Sequence, residues 1–271
     1  MKKYSLQKLA VLWVGTVLMV FSPVMSATAF AGEDWGQRVQ IMAHRGNNMA
    51  HPENTIPAFQ SAIDSGVQWI ELDVTQTKDG VPVVLHDEDL TRTTGYQRKI
   101  WDITYEELQS MTADVRKGPA FKDTRIPSLE EVLDFCRDKV RLNIEIKCNG
   151  HQTEDFAQRV VELMRQREMT GQCMITSFSY EVLTKIKALE PALATGLITA
   201  QALEQPQIYT AADNFMISIE LAEPEFVAQL HSLGKKVTVW TVNDPYSVKK
   251  CREADADNLI TDRPDYIKES L

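Results

Sequence analysis

Three acids, two histidines and two cations stand where apolar runs of this chain end. Glu71 and Asp73 are two residues apart in Trp69-Ile70-Glu71-Leu72-Asp73, and Glu145 and Lys147 are two apart in Glu145-Ile146-Lys147. His44-Arg45-Gly46 and His86-Asp87 each follow a β-rich run. Strand residues two apart point to the same face, so each acidic pair converges. Three carboxylates at one point repel one another unless a hard cation lies among them. Oxygen-only ligation by Glu71, Asp73 and Glu145 suits one divalent cation, Mg²⁺ or Ca²⁺, rather than zinc. His44 and His86 are the natural general acid and base of such a site, with neither role assigned to either residue. Arg45 and Lys147 supply positive charge for phosphate oxygens, arginine bidentately. Together these groups suit cleavage of a phosphodiester, with the metal and Arg45 stabilising charge that develops on the phosphoryl oxygens.

The elements that must hold these groups begin with Trp69–Asp87, which reads as a strand, a turn and a returning strand. Asp79-Gly80 between β-rich arms is a hairpin signal, and Pro82 puts the returning arm at an edge. With Asp79 and Gly80 as the two loop residues, Lys78 faces Val81 and His86 sits opposite Asp73, on the face shared with Glu71. A slip of one residue would turn His86 to the other face.

Around the hairpin the chain alternates strands and helices. The remaining strands are Val39–Ala43, Arg141–Lys147, Cys173–Ser177, Ala194–Ile198, Phe215–Ile219, Lys236–Trp240 and Asn258–Thr261. Helices are expected at about Ile56–Ser65, with Thr55 or Asn54 as N-cap, Ser128–Arg137, Thr153–Arg165, Tyr180–Leu189, Glu223–Leu233 and Pro245–Ala254, and a last one opens at Pro264, capped by Asp262. Setting the returning arm aside leaves eight strands, which suits an α/β fold of the (β/α)₈ TIM-barrel type. In such a barrel the active site lies at the C-terminal ends of the strands, where the charged residues fall. Residues 88–127 form a long polar insertion after the hairpin, either a lid beside the site or a surface excursion, in which Thr104 and Glu107 read as a capping box.

The first residues read as a secretory signal peptide, with Lys2, Lys3 and Lys8, an apolar run from Leu9 to Phe21 and small residues up to position 31. An uncleaved anchor is the alternative, but the run is short for a bilayer span. One domain over 36–271 follows. Removing residues 1–31 takes away three lysines and no acid, moving the formal charge from −9 to −12. So acidic a body argues against nucleic acid or an anionic membrane as main partner. The expected location is the periplasm or the external medium, with no stable membrane insertion after cleavage. Cys136, Cys148, Cys173 and Cys251 fit no zinc spacing and read as buried or unpaired thiols.

As an ordered set, these segments resemble the glycerophosphodiester phosphodiesterase family. The matching stretches are His44-Arg45-Gly46, Pro52-Glu53-Asn54-Thr55, Glu71-Leu72-Asp73-Val74, Thr77-Lys78-Asp79-Gly80, His86-Asp87, Leu90-Thr91-Arg92-Thr93-Thr94-Gly95, Glu145-Ile146-Lys147, Trp240-Thr241-Val242-Asn243 and Thr261-Asp262-Arg263-Pro264. The resemblance implies a TIM barrel with a small insertion, metal ligation by Glu71, Asp73 and Glu145, and acid–base roles for His44 and His86. It also implies a small-molecule glycerophosphodiester substrate, hydrolysed to glycerol 3-phosphate and an alcohol. Trp240 then packs against the glycerol moiety or simply caps the barrel. Two stretches depart from the family pattern: Asn47-Asn48-Met49-Ala50-His51 and Asp255-Ala256-Asp257-Asn258, both poorer in glycine. The competing readings are a phospholipase D or sphingomyelinase D-like lipase on the same barrel, with Met49, Trp101 and Tyr105 as an apolar ledge, and a binding protein that has lost catalysis.

Overall fold

Alternating β-rich and amphipathic segments close into a barrel. The computed structural model describes residues 34–271, so the expected signal peptide lies outside the described residues. The strands are β1 (Gln40–His44), β2 (Trp69–Gln76), β3 (Pro82–Val84), β4 (Arg141–Ile146), β5 (Cys173–Ser177), β6 (Ala194–Thr199), β7 (Asn214–Ser218), β8 (Lys236–Trp240) and β9 (Asn258–Thr261). All neighbours pair in parallel except β2 and β3, and β1 pairs with both β2 and β9, which closes eight strands into a ring. Among the described residues, no helix is long and apolar enough to cross a membrane.

The helices are α1 (Trp35–Arg38), α2 (Ile56–Asp64), α3 (Thr91–Thr94), α4 (Tyr105–Gln109), α5 (Leu129–Cys136), α6 (Phe156–Gln166), α7 (Tyr180–Leu189), α8 (Pro224–Ser232), α9 (Pro245–Glu253) and α10 (Pro264–Glu269). Period 2 on the strands and period 3.6 on the helices meet in one core. Ile70, Leu72 and Val74 of β2 face outward into it, with Leu129, Val132 and Leu133 of α5 and Val160, Val161 and Met164 of α6. Each such side chain, fully buried, contributes about 1.5–3 kcal/mol. The inward residues alternate with these. Met42, Met174, Ile198, Met216 and Ile260 plug the barrel's interior, and the polar side chains lie at the strands' C-terminal ends. Inward-facing Gly196 belongs to this plug, since a Cβ there would meet Thr176 Cγ2 at 2.9 Å.

The hairpin forms with a different register from the one expected. Thr77, not Lys78, faces Val81: the Thr77 amide donates to the Val81 carbonyl at 3.1 Å, and Gly80 closes the turn onto the Thr77 carbonyl at 3.0 Å. Gly80 sits at φ +84°, the left-handed position of a three-residue loop. The loop is one residue longer because the Thr77 hydroxyl accepts from the Val81 amide and donates to Asp79 Oδ1, holding Lys78-Asp79-Gly80 together. Val74 therefore pairs with Val84, and Leu85 comes opposite Asp73. In a continued ladder this slip would turn His86 away from the site. It does not, because β3 ends at Val84 and the chain leaves the ladder before His86. Nor do Glu71 and Asp73 end their strand. β2 runs on to Gln76, since β3 supplies it with a partner beyond the end of β1.

The insertion has a core of its own. Leu90, Ile100, Ile103, Leu108, Met111, Ala113 and Ile126 are buried against Val83 and Leu85. The Thr104–Glu107 capping box opens α4 as expected, and α4 is further held by Asp79, whose carboxylate accepts the Tyr105 amide at 3.0 Å.

Candidate active site

β2 and β4 bring the three carboxylates together. Asp73 lies level with Glu145 across the β2–β4 ladder, and Glu71 lies level with His44 across β1–β2. One oxygen from each of Glu71, Asp73 and Glu145 falls within 4.8 Å of the others, and all three residues are buried. Asp73 is the best compensated. Burial alone would raise its pKa, but Lys147 Nζ at 2.8 Å and Arg45 hold it well below the usual carboxylate range. Asn54, at φ +59°, donates Nδ2 to Asp73 Oδ2 at 2.8 Å. Glu71 behaves oppositely: burial, then the charges of Asp73 and Glu145, push it well above its ordinary value. Glu145 is raised by burial and Asp73 despite the 2.7 Å bond from Lys147. Two cations thus face three buried acids, and the charge left over sits on Glu71. An all-oxygen donor set with surplus negative charge fits a hard divalent cation.

Arg45 is aimed by its backbone. It sits at φ +56°, its amide donates to Glu71 Oε2 at 3.0 Å, and its Nη1 donates to Glu53 Oε1 at 2.9 Å. The reversal after β1 also needs Gly46, at φ +79°, where a Cβ would stand 2.7 Å from the Ala58 backbone carbon of α2.

Each histidine is held at Nδ1 by an aspartate. His44 Nδ1 is 2.5 Å from Asp262 Oδ1, and His86 Nδ1 is 2.7 Å from Asp87 Oδ1. An Nδ1–H donating to carboxylate leaves Nε2 as the working nitrogen, and His44 Nε2 lies 4.0 Å from Glu71 Oε2. The Asp262 carboxylate also accepts Asn48 Nδ2 at 2.5 Å and Asn243 Nδ2 at 2.6 Å. Burial works against ionisation at Asp262 and Asp87. Hydrogen bonds from the histidines, with those of Asn48 and Asn243 to Asp262 and of Arg92 to Asp87, nevertheless hold both well below the usual range.

Asp262 serves His44 rather than the last helix. It does not cap α10, whose N-cap is Arg263 with no side-chain cap bond. The signal that could have found it is its place just past the end of β9, the same rule that selected the other site residues. Asp87 and Glu53 stand within quoted motifs without a role, and Asn54, expected as a possible N-cap, instead holds Asp73. Thr55 takes the N-cap position of α2, but its hydroxyl donates to the Pro52 carbonyl instead.

His44, Arg45, Glu71, His86, Glu145, Lys147 and Trp240 all line one cavity of about 190 Å³, floored by the barrel's apolar plug. Trp240 lies at its side, with Nε1 donating to the Met216 carbonyl at 2.9 Å and its ring edge-on to Phe178. Phe178 is 55% exposed, so it is a wall of the mouth rather than core. Of the three residues named as an apolar ledge, only Met49 is exposed among them as a large hydrophobic; Trp101 stacks on His151 at 3.7 Å, and the Tyr105 hydroxyl donates to Glu131. All four cysteines are free: Cys136, Cys173 and Cys251 are buried and Cys148 is exposed.

Residues 44–266 match the glycerophosphoryl diester phosphodiesterase family. The chain belongs to that family. It is 34% identical over 235 residues to the glycerophosphodiester phosphodiesterase of Caldanaerobacter subterraneus, covering 84% of this chain and 95% of that one. A Bacillus subtilis glycerophosphodiester phosphodiesterase is 29% identical over 98% of this chain and 97% of its own length. Among solved structures, a phosphodiesterase of Oleispira antarctica in complex with the product sn-glycerol-3-phosphate superposes with a TM-score of 0.80, at 28% identity, over 88% of this chain and 98% of that one. The glycerophosphodiester phosphodiesterase of Thermotoga maritima gives a TM-score of 0.72 at 28% identity, over 86% and 98%.

Proposed function

We propose that this chain hydrolyses glycerophosphodiesters to sn-glycerol 3-phosphate and an alcohol, with acid–base catalysis by His44 and His86. The observation that carries the reading is the pair of aspartate-held histidines lining one cavity with Glu71 and Glu145, whose carboxylates converge with that of Asp73. The product complex of the Oleispira relative supports the substrate class. Glu71, Asp73 and Glu145 would hold one divalent cation, Mg²⁺ or Ca²⁺. Such an ion would supply Lewis acidity toward phosphoryl oxygens.

The residues of the chain do the rest. One histidine takes the proton of the attacking oxygen, either a glycerol hydroxyl or water, as the new P–O bond forms. The other gives a proton to the alcohol as its P–O bond breaks. Attack by the glycerol hydroxyl forms a cyclic phosphate, which water then opens. The aspartates keep each imidazole in one tautomer and oriented through both transfers. Arg45 and Lys147 set the positive field at the phosphoryl group, and Trp240 and Phe178 exclude water from one side of it.

The test is substitution. His44→Ala and His86→Ala should each lower turnover of glycerophosphocholine by roughly 10²–10⁴-fold, the usual worth of a general acid or base, with little change in melting temperature. Near-native turnover in either variant overturns that residue's assignment. We also read residues 1–31 as an export signal, delivering the enzyme to the periplasm or beyond. N-terminal sequencing of the mature protein checks it.

A further inference from the structure

The two histidine–aspartate pairs are not held alike. Asp262 is fixed by amide donors from two barrel loops, Asn48 and Asn243. Among the described residues, the Asp87 carboxylate has two side-chain partners, His86 and Arg92. His86 occupies one oxygen, and Arg92 Nε donates to the other. The same guanidinium turns its fork on Glu53: Nη1 to Oε2 and Nη2 to Oε1, both at 2.7 Å. Glu53 in turn accepts Arg45 Nη1, and Arg45 follows His44 in the chain. A charge-balanced rail, Arg45–Glu53–Arg92–Asp87, therefore runs from beside one histidine to the other.

Arg92 comes from the insertion, and its base there is firm. It sits on α3, where Thr93 and Thr94 are buried, the Thr94 hydroxyl donates to the Leu90 carbonyl at 2.8 Å, and Leu90 lies in the insertion's own core. The bonds to Glu53 and Asp87 raise the Arg92 pKa above its ordinary value, so its charge is constant. A guanidinium can serve two carboxylates at once because its donors lie fixed in one plane. An ammonium is a point charge and cannot span them in the same way.

We propose that Arg92 is a positioning residue for the reaction: it locks the His86–Asp87 pair onto Glu53 and Arg45, and so makes the 88–127 insertion part of the acid–base apparatus. This rests on the diesterase reading above. Without Arg92 the Asp87 carboxylate is tethered on one side only. His86 then loses its fixed tautomer and ring orientation, while the groups that meet the phosphoryl oxygens stay in place. The effect belongs in kcat rather than in KM.

The experiment compares wild type, Arg92→Ala, Arg92→Lys and Glu53→Gln for kcat, KM and melting temperature with glycerophosphocholine. Assays are run with and without added guanidinium. Arg92→Ala should lose roughly 10–100-fold in kcat, by analogy with removal of an outer hydrogen-bond partner from a metal-ligating histidine, with KM nearly unchanged. Guanidinium should restore part of the loss, since the vacated space opens to solvent, and Arg92→Lys should recover less than guanidinium does. Glu53→Gln should move kcat in the same direction. Wild-type kcat in Arg92→Ala overturns the proposal. So does a loss that tracks a lowered melting temperature and ignores guanidinium. Side-chain ¹⁵N NMR gives a readout independent of turnover. His86 should hold one tautomer in wild type and a mixture in Arg92→Ala, and an unchanged His86 spectrum also overturns the proposal. Absence of hydrolysis by the wild type would sink the diesterase reading, while the NMR still decides whether Arg92 fixes His86.

Discussion

Glu71 is the residue at which the electrostatics are least balanced. It sits beside two other buried acids, and its pKa is raised by burial and by those neighbours. An acid whose folded pKa lies above its unfolded one destabilises the fold as pH rises from the unfolded value, about 4.3, through the folded one. In EDTA, Glu71→Gln should therefore melt higher than wild type at neutral pH. The gap should shrink toward pH 4. Millimolar Mg²⁺ or Ca²⁺ should raise the wild-type melting temperature and leave Glu71→Gln nearly unmoved. Calorimetry at two pH values checks both, and a Glu71→Gln variant that melts lower in EDTA contradicts the account. Asp262 has the opposite sign. Its lowered pKa contributes stability that is complete above about pH 4 and lost as pH falls below that. In Asp262→Asn the acid-dependent part of that loss should disappear, and kcat should fall with His44 no longer oriented. Among individual residues, the sequence made the inward acids and both histidines legible, since charge at the end of an apolar strand has few structural explanations. Their aspartate partners were harder to see. Asp262 lies far from His44 in sequence, and a polar residue just before Pro264 looks like a helix cap.

At the level of elements, the turn after β1 is the tightest point of the site. Gly46 has no room for a Cβ, and the atoms it would strike are helix backbone rather than a side-chain tip. Gly46→Ala should cost about 2–3 kcal/mol, overpacking adding to the strain of positive φ. Because Arg45 adjoins it, activity should fall further than stability. Chemical denaturation alongside kcat measures both, and an unaltered midpoint contradicts the packing described. The β2–β3 loop is the second such point. Asp79 accepts both the Thr77 hydroxyl and the Tyr105 amide, so Asp79→Ala should destabilise by about 1–2 kcal/mol through a lost cap and a lost turn bond. The hairpin itself was legible from Asp-Gly and β-rich arms, but its register was not. A threonine hydroxyl, which no pattern of hydrophobicity records, lengthened the loop by one residue. The insertion's packing was equally hidden, because a polar sequence of this length conceals seven apolar side chains that form a small core with Val83 and Leu85.

For the whole molecule, strands alternating with helices lead to one topology, and the ring closes as the count of eight parallel strands requires. The parallel barrel explains why residues as distant as His44, Glu145 and Asp262 meet: every strand delivers its C-terminal end to the same mouth. The hairpin and insertion interrupt the β/α alternation beside β2, and there they add His86 and its supports. The central claim is that this mouth cleaves glycerophosphodiesters with a divalent cation held by Glu71, Asp73 and Glu145. The most direct test is ³¹P NMR of the purified protein with glycerophosphocholine and Mg²⁺ or Ca²⁺, repeated in EDTA. The account predicts that the diester resonance gives way to that of sn-glycerol 3-phosphate with metal and persists in EDTA. Equal conversion in EDTA, or no conversion with either metal, would contradict it.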